Sequence, residues 1–155
     1  GSKCLRVALL TRCAQSMLAP QINDATVRLL TLLRDEVLIP NDTGCCGALT
    51  FHMGERRQSR KLMGHMIEVW HRKTEGDGLD VIVLNTSGCA TAVREYEYLF
   101  HHDPKIAEKA KAAVERVREV RRWSLNRFWV RSESLQGCAS PITMPVPTSW
   151  SAYKQ

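Results

Sequence analysis

Short continuous apolar runs alternate along this chain with stretches whose apolar residues recur every three or four positions. Residues 5–10, Leu-Arg-Val-Ala-Leu-Leu, read as a buried strand. Residues 36–39 read as a second, ended by Pro40, and residues 79–84 as a third. Runs of this kind are expected in a parallel sheet covered on both faces. Between them, Pro20 opens a helix that carries Ile22, Thr26, Leu29, Leu30 and Leu33 on one face. A longer helix from about residue 54 to 73 carries Leu62, Met63, Met66, Ile67 and Trp70, which read as core. A third follows Cys89 with Val93, Tyr96 and Leu99. Asp103-Pro104 starts a fourth, with Ile106, Ala110, Ala113, Val114 and Val117, reaching about Val120. The order β-α-β-α-β-α-α predicts an α/β fold: a three-stranded parallel Rossmann-like sheet, right-handed crossovers, and helices on both faces.

From residue 121 the periodicity fades. Residues 121–129 allow one or two amphipathic turns, and residues 132–155 are rich in Ser, Thr and Pro, which predicts an irregular C-terminal tail. The expected organisation is a lead-in over residues 1–3, one domain over 4–120, and an appendage of unknown role over 121–155. Gly1-Ser2 reads as the scar of tag cleavage. A chain of 155 residues can bury a core without disulfide staples.

The net charge is +6, but residues 119–155, with five Lys/Arg and two Asp/Glu, supply half of it. There is no basic ladder interleaved with aromatics and no nucleic-acid motif, so the charge reads as a solvated surface. No apolar run approaches the length that spans a membrane.

The strand pattern gives the cysteines their meaning. Cys13 follows the first strand, Cys45-Cys46 the second and Cys89 the third. Carboxyl ends of parallel strands lie along one edge, where ligands bind in open α/β sheets. Four thiols distant in sequence should therefore lie within roughly 10 Å of one another there. Vicinal cysteines such as Cys45-Cys46 bridge each other poorly, and a reducing, cytoplasmic compartment fits the set. A metal or iron–sulfur site follows more readily than disulfides. Cys4, at the opposite edge, reads as structural, and Cys138 is assigned nothing.

Each cysteine alone would be an ordinary small buried residue; the joint placement carries the argument. Cys89 opens a helix, whose free N–H groups and partial positive charge favour thiolate. Gly44, Gly47 and Gly88 flank the cysteines and let backbone approach a bulky group. Zinc accepts four thiolates too, but its usual pair of CxxC-like knuckles is missing here, which favours an iron–sulfur cluster. A Cys-His enzyme is a third reading. His52 stands near enough to the vicinal pair to serve it, and reads as a supporting or structural residue ahead of a catalytic one.

The motifs Gly44-Cys-Cys-Gly-Ala-Leu-Thr-Phe-His-Met-Gly54, Arg12-Cys-Ala-Gln15 with Pro20 and Asn23-Asp-Ala-Thr26, and Thr86-Ser-Gly-Cys-Ala-Thr-Ala-Val-Arg-Glu-Tyr96 resemble the cysteine-rich CCG domain. The resemblance covers about residues 4 to 120. It points to the branch formed by glycolate oxidase iron–sulfur subunits, with lactate-utilisation iron–sulfur proteins and the cysteine-rich component of heterodisulfide reductase as relatives. It implies that Cys13, Cys45, Cys46 and Cys89 hold a cluster, of 4Fe–4S type. It also implies that the chain relays electrons from a separate flavin subunit that oxidises glycolate, and is not catalytic alone. Partners would be that subunit and other iron–sulfur domains, reached in the cytoplasm or at the inner membrane. The family's ferredoxin-like segment and second cysteine-rich copy are not in this sequence. Ala92 stands where heterodisulfide reductase has a further cysteine, and residues 121–155 do not match what should follow.

The competing expectation is an apo or zinc-binding interaction domain without redox activity. Either way, loss of the second copy should expose an apolar face, so a homodimer is expected, or else the tail residues Trp123, Phe128 and Trp129 fold back over that face.

Overall fold

The structure is a computed structural model in which the described residues are 4–11 and 14–132, without the side chains of 130–132. Its elements are β1 (Arg6–Leu9), α1 (Ala14–Leu18), α2 (Pro20–Leu32), β2 (Glu36–Leu38), α3 (Ala48–His52), α4 (Arg56–Asp77), β3 (Val81–Leu84), α5 (Ser87–Arg94), α6 (Tyr96–Phe100), α7 (Ala107–Arg116), β4 (Val117–Glu119) and α8 (Val120–Ser132). The strands form one parallel sheet in the order β2-β1-β3-β4.

Period-two alternation splits the sheet into two faces. Ala8, Leu10, Ile82 and Leu84 pack on Met63, Met66, Ile67 and Trp70 of α4, on Val93 and Tyr96, and on Ala110 and Ala113 of α7. Val7, Leu9, Val81 and Val83 pack on Leu30 of α2 and Trp123 of α8. The chain steps from β1 outward to β2, then crosses back to β3 on the far side of β1. That reversal makes β1 and β3 the switch point, where a crevice opens at the carboxyl ends of an α/β sheet.

The sheet has four strands, not three. The expected fourth helix stops at Arg116, and Val117–Glu119 pairs with β3 instead. The periodicity Ile106-Ala110-Ala113-Val114-Val117 concealed this, because Val117 is buried whether it ends a helix or begins a strand. Helix α8 then occupies residues for which only an amphipathic turn or two was expected. Trp123 does fold back onto the sheet, whereas Phe128 and Trp129 are 62% and 68% exposed. Residues 133–155, the bulk of the expected irregular tail, lie outside the described residues, as does Cys138.

The anchor of α8 is an ion pair that no pattern announces. Asp35 is buried between α2 and β2 and accepts from Arg127 Nη2 at 2.8 Å and Trp123 Nε1 at 2.9 Å. Helix α2 keeps part of its expected face: Thr26, Leu30 and the following Leu33 are buried, but Asn23 joins them, while Ile22 and Leu29 are 43% and 37% exposed.

Gly47 sets the path from β2 into α3. Its φ of +77° is the left-handed conformation, and an added Cβ would lie 3.0 Å from Met63 Cγ and 3.1 Å from the Ser59 carbonyl oxygen. Ser59, itself buried, donates its hydroxyl to the Gly47 carbonyl at 2.8 Å.

Two stability measurements follow. Arg127→Ala removes the guanidinium 2.8 Å from the buried Asp35 carboxylate and should cost about 3–5 kcal/mol, read as a lower urea midpoint. Gly47→Ala combines a left-handed backbone with a crowded Cβ and should cost about 2–4 kcal/mol in the same assay. A change below the error of the melt in either variant contradicts the corresponding contact.

Candidate functional site

Two of the predicted cysteine loops, those after β2 and β3, leave the carboxyl ends of their strands. The β2–α3 connection carries Cys45 and Cys46, and the first turn of α5 carries Cys89. The structure brings the last two together: Cys46 Sγ and Cys89 Sγ lie 3.2 Å apart, and both residues are buried. That separation is a contact between thiols, well beyond the roughly 2.05 Å of a disulfide. Cys45 is half-buried and packs against the same core.

Beneath the pair lies Tyr96, which the sequence placed only as helix core. It is fully buried and donates its hydroxyl to the Cys46 carbonyl at 2.7 Å. Burial, reinforced by the charges available to Cys46, Cys45 and Cys89 in that order, pushes the Tyr96 phenol well above its usual range. It therefore remains a proton donor. Its ring stacks on Trp70 and meets Phe100 edge-on, so the phenol is fixed from three sides.

The glycines play unequal parts. Gly47 is required by its backbone, as above. The Gly44 amide donates to Met66 Sδ at 3.2 Å, which ties the loop to α4. A Cβ at Gly88 would meet nothing within 4 Å, so no crowding within the chain demands glycine there. His52 is exposed and stacks edge-on with Phe51; it shares a cleft of about 230 Å³ with Ala48, Gly88 and Ala92. No hydrogen bond joins its imidazole to a cysteine among the described residues.

Cys13 lies outside the described residues. Cys4 precedes β1, at the amino edge, away from the pair. Among the described residues no group of three His, Cys, Asp or Glu is spaced to hold a metal ion. The donors that do gather are thiols, the soft ligands that select iron–sulfur clusters, zinc or copper(I) over magnesium or calcium. By chemistry the set fits a thiolate-held group.

Sequence reasoning missed a second feature beside the thiols. Gln15, Asn23, Thr26, Asn85 and Thr86 form a chain of side-chain hydrogen bonds across the carboxyl ends of β1 and β3. The signal was present: four of these residues stand in the cysteine motifs quoted above, and Asn85 directly precedes one of them.

Comparisons with known proteins give the family. The cysteine-rich domain model (CCG) matches residues 7–94. The glycolate oxidase iron–sulfur subunit of Escherichia coli (strain K12) is 32% identical over 143 residues, 90% of this chain and 35% of that protein. That match extends past residue 121, where the likeness was expected to stop. The probable glycolate oxidase iron–sulfur subunit of Bacillus subtilis (strain 168) is 32% identical over 114 residues, 74% of this chain and 25% of its own. Lactate utilization protein A of the same strain is 32% identical over 122 residues, 79% of this chain and 49% of its own. The chain thus spans between a quarter and a half of the length of these three curated relatives. No solved structure matches it. With the family model matching residues 7–94, more than half of its length, the chain belongs to the CCG cysteine-rich domain family.

Proposed function

We propose that this chain is an iron–sulfur electron-transfer module of a complex that oxidises a 2-hydroxy acid such as glycolate. Cys13, Cys45, Cys46 and Cys89 would hold the cluster, of 4Fe–4S type. The observation that carries this reading is the contact of Cys46 and Cys89, 43 residues apart, at the carboxyl edge of a parallel sheet. The names of the relatives, iron–sulfur subunits of glycolate oxidase, supply the chemistry. When bound, the cluster supplies a site that takes up and releases single electrons.

The chain's own residues prepare that site. Cys89 lies in the first turn of α5, where the helix dipole favours thiolate over thiol. Tyr96 and the α4 methionines close the inner side to water. Tyr96 also holds the Cys46 backbone, which fixes the direction of that side chain. Gly44, Gly88 and His52 line the approach. No helix among the described residues is long and apolar enough to cross a membrane. A cytoplasmic module that meets a flavin subunit and further iron–sulfur domains by docking is consistent with that. Leu49 and Met53, 64% and 68% exposed beside the vicinal pair, offer apolar surface for such a partner or for a second copy.

Anaerobic reconstitution with iron and sulfide tests the assignment. The protein should turn brown and retain both elements through gel filtration. Cys46→Ser and Cys89→Ser should each lose at least about tenfold in iron retained. Stoichiometric zinc in place of iron would move the reading to a structural zinc domain. Tyr96→Phe tests the support beneath: loss of its hydrogen bond should cost about 1 kcal/mol of apo stability and speed cluster loss in air. Unchanged bleaching in that variant would remove Tyr96 from the account.

A further inference from the structure

The polar chain at the ends of β1 and β3 has a fixed direction. Thr26 donates its hydroxyl to the Ile22 carbonyl at 2.7 Å, so its oxygen accepts from Asn85 Nδ2 at 3.1 Å. That identifies the nitrogen end of the Asn85 amide. The same nitrogen donates to Asn23 Oδ1 at 2.7 Å, and Gln15 Nε2 approaches that oxygen at 3.4 Å. With its nitrogen so placed, Gln15 presents Oε1 to Thr86, whose hydroxyl donates to it. Asn23 is 1% exposed, and its Nδ2 has no partner among the described residues.

Thr86 is the residue before α5, with the extended backbone (φ −122°, ψ 119°) of an N-cap. A threonine there ordinarily accepts from the amide of the second or third helical residue, here Gly88 or Cys89. It does not; no side chain caps α5. Omitting a cap usually destabilises a helix; here the Thr86 hydroxyl donates to Gln15 Oε1, with Asn85 Oδ1 at 3.5 Å, and its oxygen caps no α5 amide. The helix in question is the one that carries Cys89, whose sulfur touches Cys46. A buried amide donor without a partner, on Asn23, adjoins the same network.

We propose that Gln15 is a positioning residue: the hydrogen bond it accepts fixes the Thr86 side chain in an orientation whose oxygen does not cap α5, so that the Gly88 amide stays open to sulfur of the group bound through Cys89. The inference rests on the cluster reading above. Hydrogen bonds to cluster sulfurs and nearby positive dipole ends set the potential. They stabilise the more negatively charged, reduced state. Gln15 thereby raises the potential without touching the cluster.

Three variants decide it: Gln15→Leu, Thr86→Val, and the two together. In the apo proteins, the Gly88 amide resonance is followed by nitrogen–proton correlation spectra. In the reconstituted proteins, the midpoint potential is measured by titration. Gln15→Leu frees Thr86 to cap, so the Gly88 resonance should move and the potential should fall. The expected fall is a tenfold decrease in the reduced-to-oxidised ratio at fixed ambient potential, about 59 mV for one electron. Thr86→Val has no hydroxyl to cap with and should keep the wild-type potential. The double variant should return to the Thr86→Val value, which a merely structural role for Gln15 does not predict. A double variant as low as Gln15→Leu, or a Gly88 resonance and potential indifferent to Gln15→Leu, overturns the proposal. Should Gln15→Leu not fold, Thr86→Asn replaces it, because asparagine caps strongly with Gln15 intact; the same fall is expected, and no change overturns the proposal. If wild-type protein takes up no iron, the cluster reading fails, and the Gly88 resonance alone still decides whether Gln15 withholds the cap.

Discussion

The hydrogen bond from Tyr96 to the Cys46 carbonyl is the contact on which the site depends. It joins the loop after β2 to the helical pair that follows β3, and it does so underneath the two thiols that meet at 3.2 Å. Other ties on the same loop are the left-handed turn at Gly47, the Ser59 hydroxyl beneath that turn, the Gly44 amide on Met66, and His65 and Arg72 at Asp42. The Tyr96 bond runs to α6, and the Ser59 and Met66 ties run to α4, helices that pack on one face of the sheet. The core on that face therefore does two things: it buries Trp70, Met66 and Ile67, and it sets the position of a thiol.

Two faces of one sheet are put to different use. Helices α4, α5 and α7 build the wall behind the thiols. Helices α2 and α8, on the other face, are fastened through Asp35 by Arg127 and Trp123. From that second face Asn23 and Thr26 reach the carboxyl edge and hold Asn85 at the end of β3. The edge is thus gripped from both sides at the switch point between β1 and β3. A ligand site there needs rigid supports on both flanks, because the connecting loops carry the ligands but not the stiffness.

Much of this was legible in the sequence, and the failures have physical causes. Continuous apolar runs gave three strands, since a strand buried on both faces needs apolar residues on both. The fourth strand, only three residues long, hid in the helical phase of Ile106, Ala110 and Ala113. Helix α2 buries Thr26, Leu30 and Leu33 as expected, but its buried face takes in Asn23 in place of Ile22, which the hydrophobic rule assigns inward. The network at the carboxyl edge reverses this, burying Asn23 to hold Asn85 while Ile22 remains 43% exposed. The contact of Cys46 with Cys89 follows from strand ends alone. Tyr96 did not, because a buried aromatic on a helix looks the same whether or not its hydroxyl has a task. Asp35 with Arg127 was invisible for a related reason: partners so far apart in sequence leave no local pattern.

The central claim is that strand ends bring thiolates together to hold iron and sulfide. Its most direct test is iron-edge X-ray absorption on the anaerobically loaded protein. The account predicts iron surrounded by sulfur alone, with short iron–iron scattering from a multinuclear cluster. A first shell of nitrogen or oxygen around isolated iron would contradict it.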